Sequence, residues 1–382
     1  MQEKVCKFFH SLHFFSQFCN IIKSFFYFLL KIIFMDNNYG ILIDNELELF
    51  NKIKNTKSTK RTLIKSDRQK EIKSEKGIIV SNPGKNFLVV KHSDLKKWNY
   101  DPIECVRGGT IISKNRESTI FTVGDIVDFT IEATSPTQEK IGKIIKVYPR
   151  KSFIARQSIR GYTGDVLGAN IDKVLIFMSV NQPHFNKRLI DRILIASEIG
   201  NARSAICINK IDLDEMLVFL NELKAYKKLK IKIFTVSALK NEGIDALLKF
   251  FKNSITAVIG PSGSGKSTLL NSIFGKKVQR VGDLRHKQTK GKHTTSYSTM
   301  FFLRQGGAII DTPGIREFGI IGIDKNDLCF YFKEFDKYYE ECKFIPCTHT
   351  HEPGCKVKEA VERGLIDEDR YISYLNIYDS ME

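Results

Sequence analysis

Ile255-Thr256-Ala257-Val258-Ile259, followed by Gly260-Pro261-Ser262-Gly263-Ser264-Gly265-Lys266-Ser267, is the stretch that decides the fold of this chain. Its first five residues are short and continuously apolar, as a strand covered on both faces is. The next eight fit the pattern G-x-x-x-x-G-K-[ST], and the amphipathic run Thr268–Phe274 comes straight after them. Strand, glycine loop and helix in that order are what a phosphate cradle requires. The glycines let successive backbone N–H groups curl around phosphates, Lys266 reaches the β and γ oxygens, and Ser267 offers a hydroxyl to Mg²⁺. Gly260 to Thr268 are therefore the first candidate nucleotide contacts.

Working outward, apolar strand runs alternate with helical stretches from residue 170 to about 325. The strands are expected at Val174–Val180, Ala205–Ile208, Ile231–Val236, Ile255–Ile259 and Ala308–Ile310, with helices such as Arg188–Ile199 and Gly243–Phe251 between them. This predicts a doubly wound α/β domain whose ligands gather at the carboxyl ends of the strands. Three further motifs follow such strands. Asn209-Lys210-Ile211-Asp212 places a carboxylate where it can accept two hydrogen bonds, from guanine N1–H and the 2-amino group. Adenine offers neither donor, and an unpaired buried acceptor costs about 1 to 3 kcal/mol, more when charged. Ser237-Ala238 would close over the base from the other side. Asp311-Thr312-Pro313-Gly314 puts a carboxylate at Mg²⁺ and the Gly314 N–H at the γ-phosphate.

Gly291-Lys292-His293-Thr294-Thr295, within a polar stretch from 282 to 296, reads as a mobile switch loop, one of whose threonines could complete the metal shell. The order of the motifs is circularly permuted. A conventional GTPase runs phosphate loop, switch threonine, Asp-x-x-Gly, then Asn-Lys-x-Asp; here the last, at 209–212, precedes the first. A sheet survives such a permutation when the old termini lie close and the new break falls in a surface loop. Position 315, where many GTPases carry a water-orienting glutamine, holds Ile315. Slow intrinsic hydrolysis follows, with His293 the local candidate for positioning water.

Outside this region, Gly77 to about Ile154 shows short alternating segments at 77–80, 87–90, 110–112, 126–131 and 141–147, separated by turn signals. Five such strands predict a closed barrel of the OB type. Toward the C-terminus, Cys342-x₄-Cys347-x-His349-x₅-Cys355 suits a structural Zn²⁺ with every position filled by protein, and His351 is a competing nitrogen ligand. The other five cysteines are scattered singly, so a disulfide framework is excluded and a reducing, cytoplasmic setting expected.

The chain has 382 residues and a formal charge of +17, which points to a polyanionic partner, nucleic acid first. Residues 51–76, with ten Lys or Arg against three acids, read as a flexible basic arm. Residues 1–34 hold nine of the 28 phenylalanines, yet Lys23 and Lys31 interrupt them. The uninterrupted run falls short of the ~18 to 20 apolar residues of a spanning helix. That segment is read as an upstream extension from a mis-set start before Met35, and no stable membrane association is expected.

Together, Asn209–Asp212, Gly260–Ser267, Gly291–Thr295, Asp311-Thr-Pro-Gly-Ile-Arg-Glu-Phe318 and Cys342–Cys355 resemble the ribosome small-subunit-dependent GTPase A family, also called RsgA or YjeQ. The likeness spans 77 to 382. It implies an OB barrel at 77–155, a permuted GTPase domain at 156–325 and a helical zinc domain at 326–382; the basic arm, set at 35–76 from composition, lies outside the likeness. It further implies a late assembly factor of the small ribosomal subunit that binds its rRNA and hydrolyses GTP to GDP under stimulation by that particle; a monomer is expected separately, since nothing in the sequence suggests a coiled coil or a large apolar interface. Thr295 would be the switch threonine, ligating Mg²⁺ with Ser267 and Asp311, and Cys342, Cys347, His349 and Cys355 the zinc ligands. His293, Thr295, Lys266 and Gly314 would serve catalysis. Two rival classes stay open: an ATP-driven P-loop enzyme, against which Asp212 argues, and a nucleotide-gated RNA-binding module with little turnover, which Ile315 keeps in play.

Overall fold

The computed structural model describes residues 74–83, 86–95, 101–108, 121–132, 141–158, 161–213, 219–275, 297–315 and 317–381. The apolar segment at 1–34, the basic arm up to residue 73, the expected strand at 110–112 and the switch-loop residues His293 and Thr295 lie outside them.

The first five strands are β1 (Glu75–Ser81), β2 (Phe87–Lys91), β3 (Ile103–Arg107), β4 (Ile126–Glu132) and β5 (Ile141–Val147). They run in the order β1-β2-β3-β5-β4, and β4 pairs back on β1 from Glu75↔Phe129 to Ile78↔Ile126, so the barrel is closed. Closure removes the exposed edges that invite strand addition. The period-2 pattern sends Ile79, Val89, Ile103, Cys105, Val127, Phe129 and Ile144 inward as one cluster. β3 was not among the strands expected from sequence, because Glu104 and Arg107 break its apolar character.

A hairpin of β6 (Phe153–Ser158) and β7 (Gly161–Ala169) leads from the barrel into a second sheet. That sheet comprises β8 (Lys173–Ser179), β9 (Arg203–Asn209), β10 (Lys232–Thr235), β11 (Ile255–Ile259), β12 (Thr299–Phe302) and β13 (Ala308–Asp311), in the order β10-β9-β8-β11-β13-β12. All neighbours are parallel except β12, which runs antiparallel on β13. The chain enters in mid-sheet at β8, walks out to β10, and returns to lay β11 on the other side of β8. This is the permutation expressed as topology. The helices are α1 (Lys187–Ile199), α2 (Phe219–Glu222), α3 (Lys224–Lys228), α4 (Ile244–Phe251) and α5 (Lys266–Phe274).

Alternate strand residues feed two apolar layers, one on each face. Ile176, Ile206, Ile259 and Ile310 pack with Leu189, Ile190 and Ile193 of α1. Phe177, Cys207, Val258 and Ile309 pack with Leu247 and Phe251 of α4 and Leu269 of α5. Continuous apolar strands follow from this two-sided burial. A single β1–β12 bridge, Ser81↔Thr299, joins barrel and sheet.

Beyond β13 the chain forms a 3₁₀ stretch (Lys325–Tyr331) and the helices α6 (Asp336–Tyr339), α7 (Lys356–Glu362) and α8 (Glu368–Asp379). Their core gathers Phe332, Phe335, Tyr374 and Ile377 around Cys342, Cys347 and Cys355, and Ile195 of α1 belongs to it. Among the described residues no helix is long and apolar enough to cross a membrane.

Candidate functional site

The glycine loop leaves β11 and ends on α5, as the motif demands. Gly263 and Gly265 adopt φ +82° and +98°, a region costly for residues with a Cβ. Gly260 is required for another reason, since a Cβ there would sit 1.9 Å from the Phe177 carbonyl oxygen. Lys266 is buried, and its Nζ donates to the carbonyls of Gly260 and Pro261 at 2.8 and 2.9 Å. Ser267, exposed on the first turn of α5, and Ser262, exposed within the loop, face solvent where phosphate and metal would lie. Ser264 is buried and donates to the Pro261 carbonyl at 2.9 Å, so it shapes the loop.

Asn209 ties this cradle to the base-recognition residues. It ends β9 at 2% exposure; its Nδ2 donates to the Ser264 carbonyl at 2.8 Å and its Oδ1 accepts from the Ala238 N–H at 2.9 Å. One amide thus brings 209–212, 237–238 and 260–267 together, although nearly 50 residues separate the first from the last. Gly265 must lack a side chain for this contact, because a Cβ would meet Asn209 Nδ2 at 2.3 Å. Lys210, at φ +62°, reaches across to the Gln182 carbonyl. Asp212 follows in a 3₁₀ turn (Ile211–Leu213); its Oδ1 is buried and has no hydrogen-bond partner. A buried, unpaired carboxylate oxygen costs free energy, and a ligand N–H relieves it. Guanine carries that donor, so the residues fit a guanine nucleotide. Ser237 is fully buried and its Oγ accepts from Lys240 N at 3.2 Å, which fixes the turn that presents Ala238.

The Asp311 end closes the phosphate side. Asp311 is the buried last residue of β13, in register with Val258 of β11. Thr312 Oγ1 donates to the Val258 carbonyl at 2.8 Å, and Ile315 N donates to the Gly260 carbonyl at 3.2 Å. Gly314 passes so near the cradle that a Cβ would lie 2.9 Å from Ser262 Cα. Ile315 is 1% exposed and belongs to the core, so it offers nothing to a water molecule.

Sequence reasoning missed the loop 181–185. Pro183 lies 3.5 Å from where a Gly263 Cβ would be, and Ser179 Oγ holds the Pro183 carbonyl at 2.8 Å. No residue type marks it; only the β8–β11 adjacency brings it to the glycine loop.

Burial lowers the Lys266 pKa to about 8, with Asp311 opposing. Bound phosphates restore the charge, so nucleotide binding takes up a proton when pH exceeds that value. GDP binding is expected to absorb most of one proton at pH 9 and almost none at pH 7, and affinity to fall as pH rises through 8. Calorimetry in buffers of different ionisation heat reads this directly. Lys266→Arg, which keeps its charge throughout, should abolish the difference.

The second cluster is Cys342, Cys347, His349 and Cys355, all buried, with ligand atoms within 4.8 Å of one another. Cys342 Sγ lies 4.0 Å from Cys355 Sγ and 3.8 Å from His349 Nδ1, which is 3.3 Å from Cys355 Sγ. Sulfurs on a tetrahedral Zn²⁺ at ~2.3 Å stand about 3.8 Å apart, so the donor set fits that ion. His351, the alternative, is exposed, and its Nδ1 pairs with Thr350 Oγ1 at 2.9 Å. Burial keeps His349 neutral by lowering its pKa to about 4, as a metal ligand must be. Burial would raise the Glu352 carboxyl, yet Thr348 and neighbouring N–H groups hold it at about 2, and the carboxylate orders the ligand loop.

A closed barrel, a permuted P-loop sheet with both nucleotide-recognition loops stapled by one asparagine, and a four-ligand tail define a circularly permuted GTPase. Residues 147–321 match the model of the RsgA GTPase family. The small ribosomal subunit biogenesis GTPase RsgA of Chlorobaculum parvum is 41% identical over 80% of this chain and 98% of its own length. Its counterpart in Phocaeicola vulgatus is 35% identical over 80% and 97%. Among solved structures, YjeQ from Thermotoga maritima aligns with TM-score 0.59 at 30% identity, covering 80% of this chain and 97% of that one. YloQ, described as a circularly permuted GTPase, aligns with TM-score 0.56 at 25% identity over 82% and 97%. The chain belongs to the RsgA GTPase family.

Proposed function

We propose that this chain acts in maturation of the small ribosomal subunit, binding its rRNA and hydrolysing GTP under stimulation by that particle. The observation carrying the nucleotide reading is the Asn209 amide, which joins the cradle to the base loop and leaves the Asp212 oxygen ready for a guanine donor. In this reading Asn209, Lys210, Asp212, Ser237 and Ala238 hold the base end, and Gly260 to Thr268 with Asp311 the phosphates. Ser267, Asp311 and Thr295 hold Mg²⁺, whose charge offsets that building on the phosphoryl group. Lys266 and the Gly314 N–H meet the β and γ oxygens, and His293 orients water. Cys342, Cys347, His349 and Cys355 hold one structural zinc. The barrel at 77–155, the GTPase domain at 156–325 and the zinc domain at 326–382 share the RNA contact, and the +17 charge favours salt-dependent binding to phosphate. A cytoplasmic monomer fits this work.

The buried Ile315 favours a second reading, a nucleotide-gated RNA-binding module with little turnover. Phosphate release measured with and without small subunits separates the two. Slow basal hydrolysis rising by orders of magnitude on the particle is the expected result; a flat rate with intact GTP binding selects the second.

A further inference from the structure

Helix α8 touches both halves of the C-terminal unit's surroundings. On one side, Tyr371 and Tyr374 donate their hydroxyls to the carbonyls of His349 and Thr348, at 2.8 and 2.5 Å, inside the metal-ligand loop. On the other, Arg370 is 5% exposed and its Nη1 donates to Asp191 Oδ1 of α1 at 2.5 Å. Glu334 closes the remaining edge of the guanidinium at 2.7 and 3.2 Å, and the Tyr226 hydroxyl joins Asp191 Oδ1 at 2.8 Å. Asp191 is fully buried. Lys187, one turn earlier on α1, pairs with Asp369 at 2.6 Å, and Arg192 donates to Ser380 at 2.9 Å.

Helix α1 begins at the cradle. Its N-cap is Asn186, whose side chain accepts from Leu189 N at 3.1 Å, and the loop before it carries Pro183 against Gly263 and Gln182 beneath Lys210. Removing one partner from a charge network this deep leaves a buried charge uncompensated. The network therefore holds α1 and α8 in one relative placement.

We infer that Arg370 is a positioning residue joining the metal centre to the guanine-nucleotide site: through Asp191 it fixes α1, and with it the loop at Gly263, in the place set by the metal-ligand loop. The inference rests on the zinc reading above. Linkage then requires reciprocity, since whatever zinc does to nucleotide affinity, nucleotide does to zinc affinity. Coupling of this kind typically changes affinity by about 5-fold or more.

The test uses the full chain as purified, with the equilibrium partition of zinc between protein and a chromophoric chelator measured with and without saturating GDP. GDP is expected to tighten zinc binding about fivefold or more in the unaltered protein. Asp191→Asn, which keeps the volume and the acceptor atom but not the charge, should erase most of that difference while zinc content and GDP binding persist. Asp191→Glu should restore part of it, and Arg370→Lys should behave as Asp191→Asn does. Protein that carries zinc but holds it with one affinity whatever the GDP level overturns the inference, as does an undiminished GDP effect in both Asp191→Asn and Arg370→Lys. Purified protein without zinc would instead sink the metal reading on which it stands.

Discussion

Asp212→Asn is expected to weaken GTP binding by two orders of magnitude or more and to make xanthosine triphosphate the better ligand. The carboxylate can accept from guanine N1–H and from the 2-amino group at once. Hydrogen bonds to a charged group are worth about 1.5 to 3 kcal/mol each, and every 1.4 kcal/mol is tenfold in affinity. Losing the charge and turning one acceptor into an amide donor forfeits most of both bonds. Xanthine carries a carbonyl where guanine has the amino group, so the Asn amide donates to it while its oxygen still accepts from N1–H. The buried, unpartnered Oδ1 of Asp212 is the structural ground for this expectation. Fluorescent-nucleotide titrations with guanine, xanthine and adenine triphosphates check it. Retained GTP preference in the variant would mean that another group recognises the base.

Much of that site was legible in the sequence because its chemistry is local. Gly260–Ser267, Asn209–Asp212 and Asp311–Gly314 each follow an apolar strand run, and each run forms a strand of the parallel sheet. The role of Asn209 was not legible. Its contacts to Ser264 and Ala238 depend on β9, β8 and β11 lying side by side, which no spacing along the chain reveals. The loop at Pro183 is hidden for the same reason. In the barrel, β3 contains Glu104 and Arg107 in five residues, and in the hairpin that follows it β7 carries three glycines in nine, so both dilute the strand signal. The metal ligands stood out by residue type, with His349 in the pattern and His351 as a competing nitrogen, and the structure separates the two histidines by burial. One ring is fully buried among thiols and aromatic rings, the other exposed.

The C-terminal core shows what the zinc would be asked to do. Phe335 and Tyr339 stand edge-on to the His349 ring at 5.6 and 5.5 Å, so the ligand set is also the centre of the aromatic packing. Without a cation nothing ties the three thiols and the imidazole together strongly: burial pushes the Cys347 thiol up to about 12 and the Cys355 thiol upward as well, so both are neutral. Protonated thiols make only weak hydrogen bonds. A structural zinc in small modules supplies on the order of 10 kcal/mol at neutral pH, comparable to the whole stability of a domain. Cys355→Ser is therefore expected to lose the metal and the fixed packing of the C-terminal unit together. The six tyrosines at 331, 338, 339, 371, 374 and 378 make near-UV circular dichroism the readout, with zinc content measured on the same sample. His351→Ala should change neither. Because thiols must deprotonate to bind, retention of zinc in the unaltered protein should fall as pH drops. An unchanged aromatic signal in zinc-free Cys355→Ser would show that the unit is held by its apolar contacts alone.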